Sequence, residues 1–133
     1  MINERLLIDT NVLIDVLRGR SEAGVFLENI RGKPAVSAMT VAELYGGVRE
    51  GEERTHLENL LRGMVHLDID TEAALDGGLL KRRWQPSHGT GIEDALIAAT
   101  ALQHDLTLVT LNGKHFPMVD KLLIPYGPNA VTP

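Results

Sequence analysis

The sequence predicts an α/β fold of three layers, in which helices cover both faces of a mostly parallel central sheet of four or five strands. Short apolar runs alternate along the chain with longer stretches whose apolar residues recur at helical spacing. Strands that alternate with helices in this way form parallel sheets covered on both faces. The chain has 133 residues, 44% of them apolar, without an internal repeat or a long linker, so we expect a single domain covering residues 1–133.

In the first half of the chain, the helices are indicated by periodic apolar residues and by the glycines that come after them. Asn11 is a good N-cap for the first helix, and Gly19 ends it. Gly32 and Gly63 end later helices in the same way. These signals predict, in order, a strand at 5–9, helices at 12–18 and 23–30, a strand at 35–37, and helices at 40–49 and 52–62.

In the second half, alternating apolar residues predict a strand at 64–69, and Asp70 or Thr71 then caps a helix that reaches Trp84. The segment QPSHGTG, residues 85–91, is expected to be a loop because it contains proline and two glycines. A helix that is apolar on nearly every face comes next and should be deeply buried. The remaining elements are this helix at 94–104, a strand at 107–110, a further short strand at 122–124 and a Pro/Gly-rich tail.

Composition indicates where the protein works. The chain has no cysteine, which excludes disulfides and thiolate metal sites and suits a reducing cytoplasm. No segment approaches the roughly 18 apolar residues of a membrane helix. The opening residues, MINERLLIDT, lack the apolar core of a signal peptide. We therefore expect a cytoplasmic protein that does not bind membranes.

The charge argues against a broad surface for nucleic acid. There are 18 acidic and 13 basic residues, giving a net charge of −5, and only 4% of residues are aromatic. An enzyme that grips nucleic acid locally through bound cations is compatible with this balance. The densest basic run is Lys81, Arg82 and Arg83 before Trp84; we interpret it either as a solvated helix end or as a contact for RNA phosphate or a partner.

Three acids occupy similar places in the pattern. Asp9 stands at the carboxyl end of the first strand, Glu43 lies just after the second, and Asp94 opens the apolar helix. Each also has a structural explanation, since Asp9 can help cap a helix, Glu43 can form a capping box with Thr40, and Asp94 can interact with the helix dipole. Together they suggest a shared site, because a parallel sheet gathers such residues at one edge. Like charges about 4 Å apart repel by about 4 kcal/mol at an effective dielectric constant of about 20, so the cluster must hold protons or a cation. Oxygen ligands favour Mg²⁺ or Mn²⁺.

Taken together, the motifs carry a family resemblance. LLIDTNVLIDVL, TVAELYGG, DALIAATALQH and LVTLNGKHF, in this order and at these spacings, resemble a PIN domain, and most closely the VapC-type ribonuclease toxins of bacterial toxin–antitoxin pairs. The resemblance extends from Leu6 to Phe116 and depends on the motifs occurring together, because D-T-N-x-L alone would be weak. It implies a PIN-like fold with an acidic Mg²⁺- or Mn²⁺-binding site that hydrolyses RNA phosphodiesters, with water attacking phosphorus in line. It also implies a VapB-like antitoxin that inhibits the enzyme, and a homodimer.

The resemblance also assigns roles to individual residues. It implies that Asp9, Glu43 and Asp94 are catalytic and bind the metal, with support from Thr10, Asn11 and Thr110. The family often has a fourth acid where this chain has Asn112, and this departure puts a tightly held second metal in doubt.

Three other interpretations compete with this one. A PIN-like module that binds RNA or protein with weak or lost catalysis is the main alternative. A dinucleotide-binding domain would need G-x-G-x-x-G after the first strand, and a receiver domain would need a lysine near LLIPYG; the chain offers neither. Asp15 is expected on a helix surface. The five histidines show no mutual metal-ligand spacing and are interpreted as surface or loop residues: His56, His66, His88, His104 and His115.

Overall fold

A five-stranded parallel sheet lies at the centre of the computed structural model, which describes residues 5–132. All four neighbouring pairs are parallel and the order is β3-β2-β1-β4-β5, so the predicted fold class is confirmed. The expectation about the opening residues, 1–10, falls partly on positions 1–4, which lie outside the described residues, as does residue 133. The strands are β1 (Leu6–Ile8), β2 (Ala35–Ser37), β3 (Val65–Leu67), β4 (Thr107–Val109) and β5 (Leu122–Leu123).

Helices flank this sheet and connect its strands. None of the helices within residues 5–132 is both long enough and apolar enough to cross a membrane. A short 3₁₀ helix covers residues 113–115. The α-helices are α1 (Thr10–Leu17), α2 (Ser21–Glu28), α3 (Ala38–Gly47), α4 (Glu52–Arg62), α5 (Thr71–His88) and α6 (Ile92–Gln103).

Two apolar cores form because successive strand residues point to opposite faces of the sheet. Leu6 and Ile8 of β1 pack with α1, α2 and α4 on one face, whereas Leu7 packs with α6 on the other. Leu57 and Leu61 of α4 point inward and are buried, and Leu60 is partly buried against the same core. This alternation fixes the sheet between its helices and holds the carboxyl ends of the strands in place.

The starts of two helices differ from the predictions. Asp9, not Asn11, is the N-cap of α1, because its side chain accepts a hydrogen bond from the Thr10 amide at 2.7 Å. Ser37 caps α3 by accepting from the amide of Thr40 at 3.1 Å, so that helix begins at residue 38 rather than at residue 40. In both helices the cap is therefore earlier than predicted, and it is the last residue of the preceding strand or the residue directly after that strand.

Helix α5 is longer than predicted. Residues 85–88 are helical although they include Pro86, and Gly89 ends the helix in the left-handed region at φ 69°. Pro86 has no backbone N–H to donate to the carbonyl of Arg82, so this last turn forms with one hydrogen bond fewer. Lys81, Arg82 and Arg83 therefore lie inside α5 and not at its end. Helix α6 is also less uniformly buried than expected, since the side chain of Leu102 is 50% exposed.

The carboxyl-terminal segment folds back on the first helix. Ile124 and Val131 form an antiparallel bridge just after β5. Between them, the Tyr126 hydroxyl donates to the Asp15 carboxylate at 2.8 Å, and the Arg20 guanidinium lies 4.7 Å from the Tyr126 ring centre. Asp15 is therefore a partly buried anchor for this segment rather than the free surface residue that the sequence predicted.

Candidate active site

The predicted acids lie around the carboxyl edge of the sheet. Asp9 comes directly after β1 and is buried, with only 5% of its surface exposed. Its Oδ1 accepts from the Thr10 amide and its Oδ2 accepts from the Thr110 hydroxyl, both at 2.7 Å. Two hydrogen bonds from neighbouring elements thus fix both oxygens of this carboxylate.

Thr110, at the end of β4, connects the polar residues of this edge. Its buried hydroxyl donates to Asp9 and accepts from the amide of Asn112 at 3.1 Å, with the Asn11 side-chain amide at 3.4 Å. The Oδ1 of Asn11 accepts from the amide of Leu111 at 3.3 Å. These bonds join the start of α1 to the segment after β4, and they explain why Asn11 is not free to cap a helix.

The side chain of Glu43 points toward Thr10, the residue after Asp9, and not toward the start of α3, its own helix. The Thr10 hydroxyl donates to Oε1 of Glu43 at 2.7 Å, and the Thr40 hydroxyl lies 3.0 Å from the same Thr10 oxygen. The capping box between Thr40 and Glu43 is therefore wrong, since Ser37 already caps that helix. Thr10 instead links the two acids, because its backbone amide donates to Asp9 and its side-chain hydroxyl donates to Glu43.

Asp94, in the first turn of α6, contacts a residue that the sequence did not assign to the site. Its Oδ2 lies 3.2 Å from Nδ1 of His115, and the side-chain amide of Asn112 lies 2.8 Å from the same nitrogen. The Thr90 hydroxyl donates to the His115 carbonyl at 2.7 Å. His115 lies in the turn between β4 and β5, as expected of a loop residue, but its side chain is only 25% exposed and faces an acid. No periodic pattern in the sequence marks His115 as a site residue. The one signal that could have indicated it is its position three residues after Asn112.

Burial and nearby negative charges raise the pKa of all three acids. Burial raises the pKa of Asp9 to about 6, nearby Asp94 and Glu43 add to this, and the hydrogen bonds from Thr110 and Thr10 oppose it. Burial also raises the pKa of Glu43 and of Asp94, and the negative charge of Glu93 raises both further. Glu93 therefore contributes to the acidic field of the site, a role the sequence did not suggest. Within residues 5–132, every ion pair formed by Lys or Arg involves an acid other than these three.

The donor set fits a hard divalent cation by its chemistry, since the site offers carboxylate oxygens and the chain contains no cysteine. The side chains are not gathered into a finished cage. Among the described residues, no three His, Asp or Glu side chains lie close enough together to hold one ion. Thr10 holds Glu43, and His115 lies against Asp94, so the three carboxylates share an electrostatic environment while bonded to different partners.

The remaining predicted residues lie at different distances from this chemistry. The side chain of Asn112 contacts His115, so it reaches Asp94 only through that ring. Lys81 bonds Gln85 at 2.7 Å, and the Arg83 guanidinium lies 4.8 Å from the Trp84 ring centre, so both make local contacts on α5. A cavity of about 490 Å³ opens beside Glu43, lined mainly by α1, α3 and α4.

Comparison with known proteins identifies the family. A model of the PIN domain matches residues 6–122. The chain belongs to the PIN-domain family. Within it, the chain is 42% identical over 125 residues to Ribonuclease VapC19 of Mycobacterium tuberculosis, covering 90% of this chain and 98% of that one. It is 38% identical to Ribonuclease VapC10 of the same organism, covering 92% of this chain and 93% of that one. This PIN-domain protein is therefore a VapC-type ribonuclease.

Solved structures of toxin–antitoxin complexes share the fold of this PIN-domain protein. A toxin–antitoxin complex from Klebsiella pneumoniae matches with a TM-score of 0.79 and 30% identity, covering 91% of this chain and 98% of that one. VapBC2 from Rickettsia felis, bound to a DNA fragment from its promoter, matches with a TM-score of 0.70 and 25% identity over 88% and 94% of the two chains.

Proposed function

We propose that this protein is a toxin endoribonuclease that hydrolyses RNA with the help of Mg²⁺ or Mn²⁺, held by Asp9, Glu43 and Asp94. The observation that carries the proposal is the acidic edge itself. Three carboxylates share one electrostatic environment, burial raises the pKa of each, and no Lys or Arg within the described residues 5–132 is ion-paired with them. Such a group favours a bound cation over empty ionised carboxylates.

The chain's own residues would supply position and charge. Thr110 and the Thr10 amide keep Asp9 in one orientation, so it serves as the fixed ligand. Glu43 and Asp94 are less buried and would turn from Thr10 and His115 toward Asp9 as the site fills. A bound Mg²⁺ or Mn²⁺ supplies neutralisation of phosphate charge and a lowered pKa of water. In this account no side chain forms a covalent bond to RNA.

The test is RNA cleavage with a matched pair of variants. Purified protein is incubated with total bacterial RNA in millimolar Mg²⁺, with and without EDTA. We expect Asp9→Asn and EDTA each to abolish cleavage, because each removes a ligand or the cation. Asp15→Asn is the control, since Asp15 lies in the helix that Asp9 caps but bonds Tyr126 instead of the site. Cleavage that survives both EDTA and Asp9→Asn would contradict the proposal.

An antitoxin is proposed as the inhibitor, supported by the likeness to toxin–antitoxin complexes. The cavity beside Glu43 offers the apolar residues Ile14, Leu17 and Leu44 for an antitoxin segment. An arginine in that segment could pair with the acids in place of metal, since guanidinium binds carboxylate bidentately. Co-expression of a neighbouring VapB-like gene should rescue growth that the toxin alone arrests. Undiminished RNase activity of the purified pair would contradict this.

Three further assignments stay predictions. The homodimer is supported by large exposed apolar side chains on α5 and α6, and light scattering of the purified protein would test it. A cytoplasmic location is expected from the sequence, and cell fractionation would test it. Contact of Lys81, Arg82 and Arg83 with RNA or a partner fits the exposed positions of Arg82 and Arg83 on α5. The exposed apolar side chains that support the homodimer are Leu75 and Leu79 on α5 and Ile92 and Leu102 on α6.

A further inference from the structure

We propose that Trp84 and Arg83, near the carboxyl end of α5, form a subsite that stacks one unpaired base of the RNA and binds an adjoining phosphate. The inference rests on the proposed function for the identity of its ligand, RNA. Trp84 is the only tryptophan of the chain and is partly exposed, and the Arg83 guanidinium lies 4.8 Å from its ring centre. The ring of His88, one turn further on, meets the indole at 86° with the ring centres 5.2 Å apart. Unpaired RNA bases stack on aromatic and guanidinium planes of this kind.

The charge of Arg83 is available to a ligand. Three arginines lie over aromatic rings in the part of the chain that the structure describes: Arg20, Arg54 and Arg83. Arg20 and Arg54 each form ion pairs with two acids, whereas Arg83 forms none within residues 5–132. A contact between an exposed cation and a ring is weak by itself. The Arg83 guanidinium can therefore move from the indole to a phosphate, and this movement uncovers the ring for a base.

The end of α5 lies beside the acidic edge of the sheet. The helix ends at Gly89, where a Cβ atom would lie 3.5 Å from Nε2 of His115. The other ring nitrogen of His115 lies 3.2 Å from the Asp94 carboxylate, and the Thr90 hydroxyl donates to the His115 carbonyl. Trp84 precedes Gly89 by five residues, or about 7 Å along the helix axis. One strand of RNA can therefore reach both the indole and the site carboxylates.

The single tryptophan makes the subsite directly observable by fluorescence. Full-length Asp9→Asn protein, in which we expect no cleavage, is titrated in millimolar Mg²⁺ with a short single-stranded RNA and with the same RNA paired to its complement. We expect the single strand to quench the emission of Trp84, because an unpaired base stacks on the indole. The duplex should quench it far less, since its bases are already stacked. Equal quenching by both RNAs, or by neither, would overturn the inference.

Substitution of the ring gives a second readout in the otherwise wild-type protein. Trp84→Ala should raise KM for single-stranded RNA by about 5- to 100-fold, the effect of losing one base stack, with kcat within about twofold. Trp84→Phe keeps an aromatic ring and should recover most of this loss. Tyr45→Ala is the matched control, because Tyr45 is also exposed and lies under Arg54, an arginine that is already paired with acids. An unchanged KM in Trp84→Ala would overturn the inference.

The phosphate contact is tested by salt dependence. Arg83→Gln should reduce the slope of log affinity against log salt concentration by about 0.7, the value for one phosphate contact on a single strand. Arg54→Gln should leave the slope unchanged, since Arg54 is held by Glu50 and Glu58. The same slope in Arg83→Gln and the wild type would overturn the assignment of Arg83.

The binding measurements separate this inference from the proposed function because they need no cleavage. Quenching by a single-stranded RNA that the wild type never cleaves would retain the subsite and reject the proposed function. Normal cleavage by Trp84→Ala with an unchanged KM would reject the subsite alone. If Trp84→Ala lost binding of an antitoxin but not of RNA, this surface would belong to the antitoxin and the inference would be wrong.

Discussion

The two ends of the central sheet carry opposite chemistry. At the carboxyl end, Asp9 is buried and joined by hydrogen bonds to Thr10 and Thr110. At the amino end, a cavity of about 200 Å³ is bordered by basic residues that include Arg5, Arg31 and Lys33. The same strands supply both ends, so the difference comes from the residues that flank each strand and not from the strands themselves.

Burial prevails over hydrogen bonding at the acidic end. Asp9 caps α1, where backbone amides and the helix dipole stabilise a carboxylate and lower its pKa. Nevertheless its pKa is raised to about 6, because burial and two neighbouring acids outweigh those bonds. An exposed counterpart behaves in the opposite way. Asp70 caps α5, and its bond to the Ala73 amide lowers its pKa in the absence of burial.

The largest expected effect on stability is the pH dependence caused by Asp9. A pKa raised from 3.8 to about 6 means that its contribution to stability is fully present below pH 3.8 and is lost as the pH rises through about 6. The loss corresponds to about 3 kcal/mol at 1.36 kcal/mol per pH unit. Asp9→Asn should therefore gain about 3 kcal/mol relative to the wild type between about pH 4 and pH 7, measured by urea unfolding of the metal-free protein.

Asp70→Asn serves as the control with opposite sign. Because the pKa of Asp70 is lowered in the folded protein, its carboxylate stabilises the fold above the unfolded pKa, and this stability is lost on acidification. Asp70→Asn should therefore become less stable relative to the wild type as the pH rises. If the stability differences of Asp9→Asn and Asp70→Asn from the wild type changed with pH in the same direction, burial would not distinguish these two N-cap residues.

The second effect concerns cations. A ligand that binds only the native state stabilises by about 2.7 kcal/mol at about one hundred times its dissociation constant. Millimolar Mg²⁺ or Mn²⁺ should accordingly raise the melting temperature of the wild type, and Asp9→Asn should remove the rise. NaCl of equal ionic strength is the control; a rise of the same size with NaCl would show general screening instead of a site.

The third effect compares threonines at the two ends of β4. Thr110→Val removes the hydroxyl that donates to Asp9 and should cost about 1–2 kcal/mol, since it leaves a buried carboxylate with one donor fewer. Thr107→Val, at the amino end of the same strand, should cost less because Thr107 lies away from the acidic edge. Thermal unfolding of both variants tests this. If Thr110→Val and Thr107→Val lost the same amount of stability, the bond from Thr110 to Asp9 would have no special importance.

The smallest effect is expected at the amino end. Replacing Arg31 and Lys33 together by alanine should change the free energy of unfolding by no more than about 0.5 kcal/mol, as is usual for exposed side chains. RNA cleavage should stay within about twofold of the wild type, which corresponds to roughly 0.4 kcal/mol in the barrier. A large loss of cleavage would assign the basic end a direct part in binding RNA.

Local sequence predicted the strands and the edge at which the acids lie. Leu6–Ile8 is an uninterrupted apolar run, and each predicted acid comes after a strand or loop near the start of a helix, so topology alone was enough to place them. Local sequence failed where distant residues decide between equivalent options. Asn11 and Asp9 are both good caps, and Asp9 takes the role because Asn11 bonds the amide of Leu111, which is distant in the chain.

The other failures have the same physical origin. Glu43 fits a capping box by spacing, yet the hydroxyl of Thr10, 33 positions earlier, takes its carboxylate. His115 faces Asp94 only because the turn at 113–115 packs against the start of α6, and no pattern within either segment contains that information. The helix end predicted at Trp84 falls short of the true end at His88, because Pro86 is a probable but not an obligatory helix boundary and the left-handed Gly89 is the residue that ends the helix.

The returning carboxyl-terminal segment has a consequence for behaviour at high concentration. A sheet edge with free amides and carbonyls can pair with the edge of another copy and start aggregation. Strand β5 has only two residues, and the chain turns back at once to bridge Ile124 with Val131. The opposite edge strand, β3, has three residues. The β5 border therefore offers little free edge to another copy, whereas β3 is as long as the inner strands and keeps one unpaired edge.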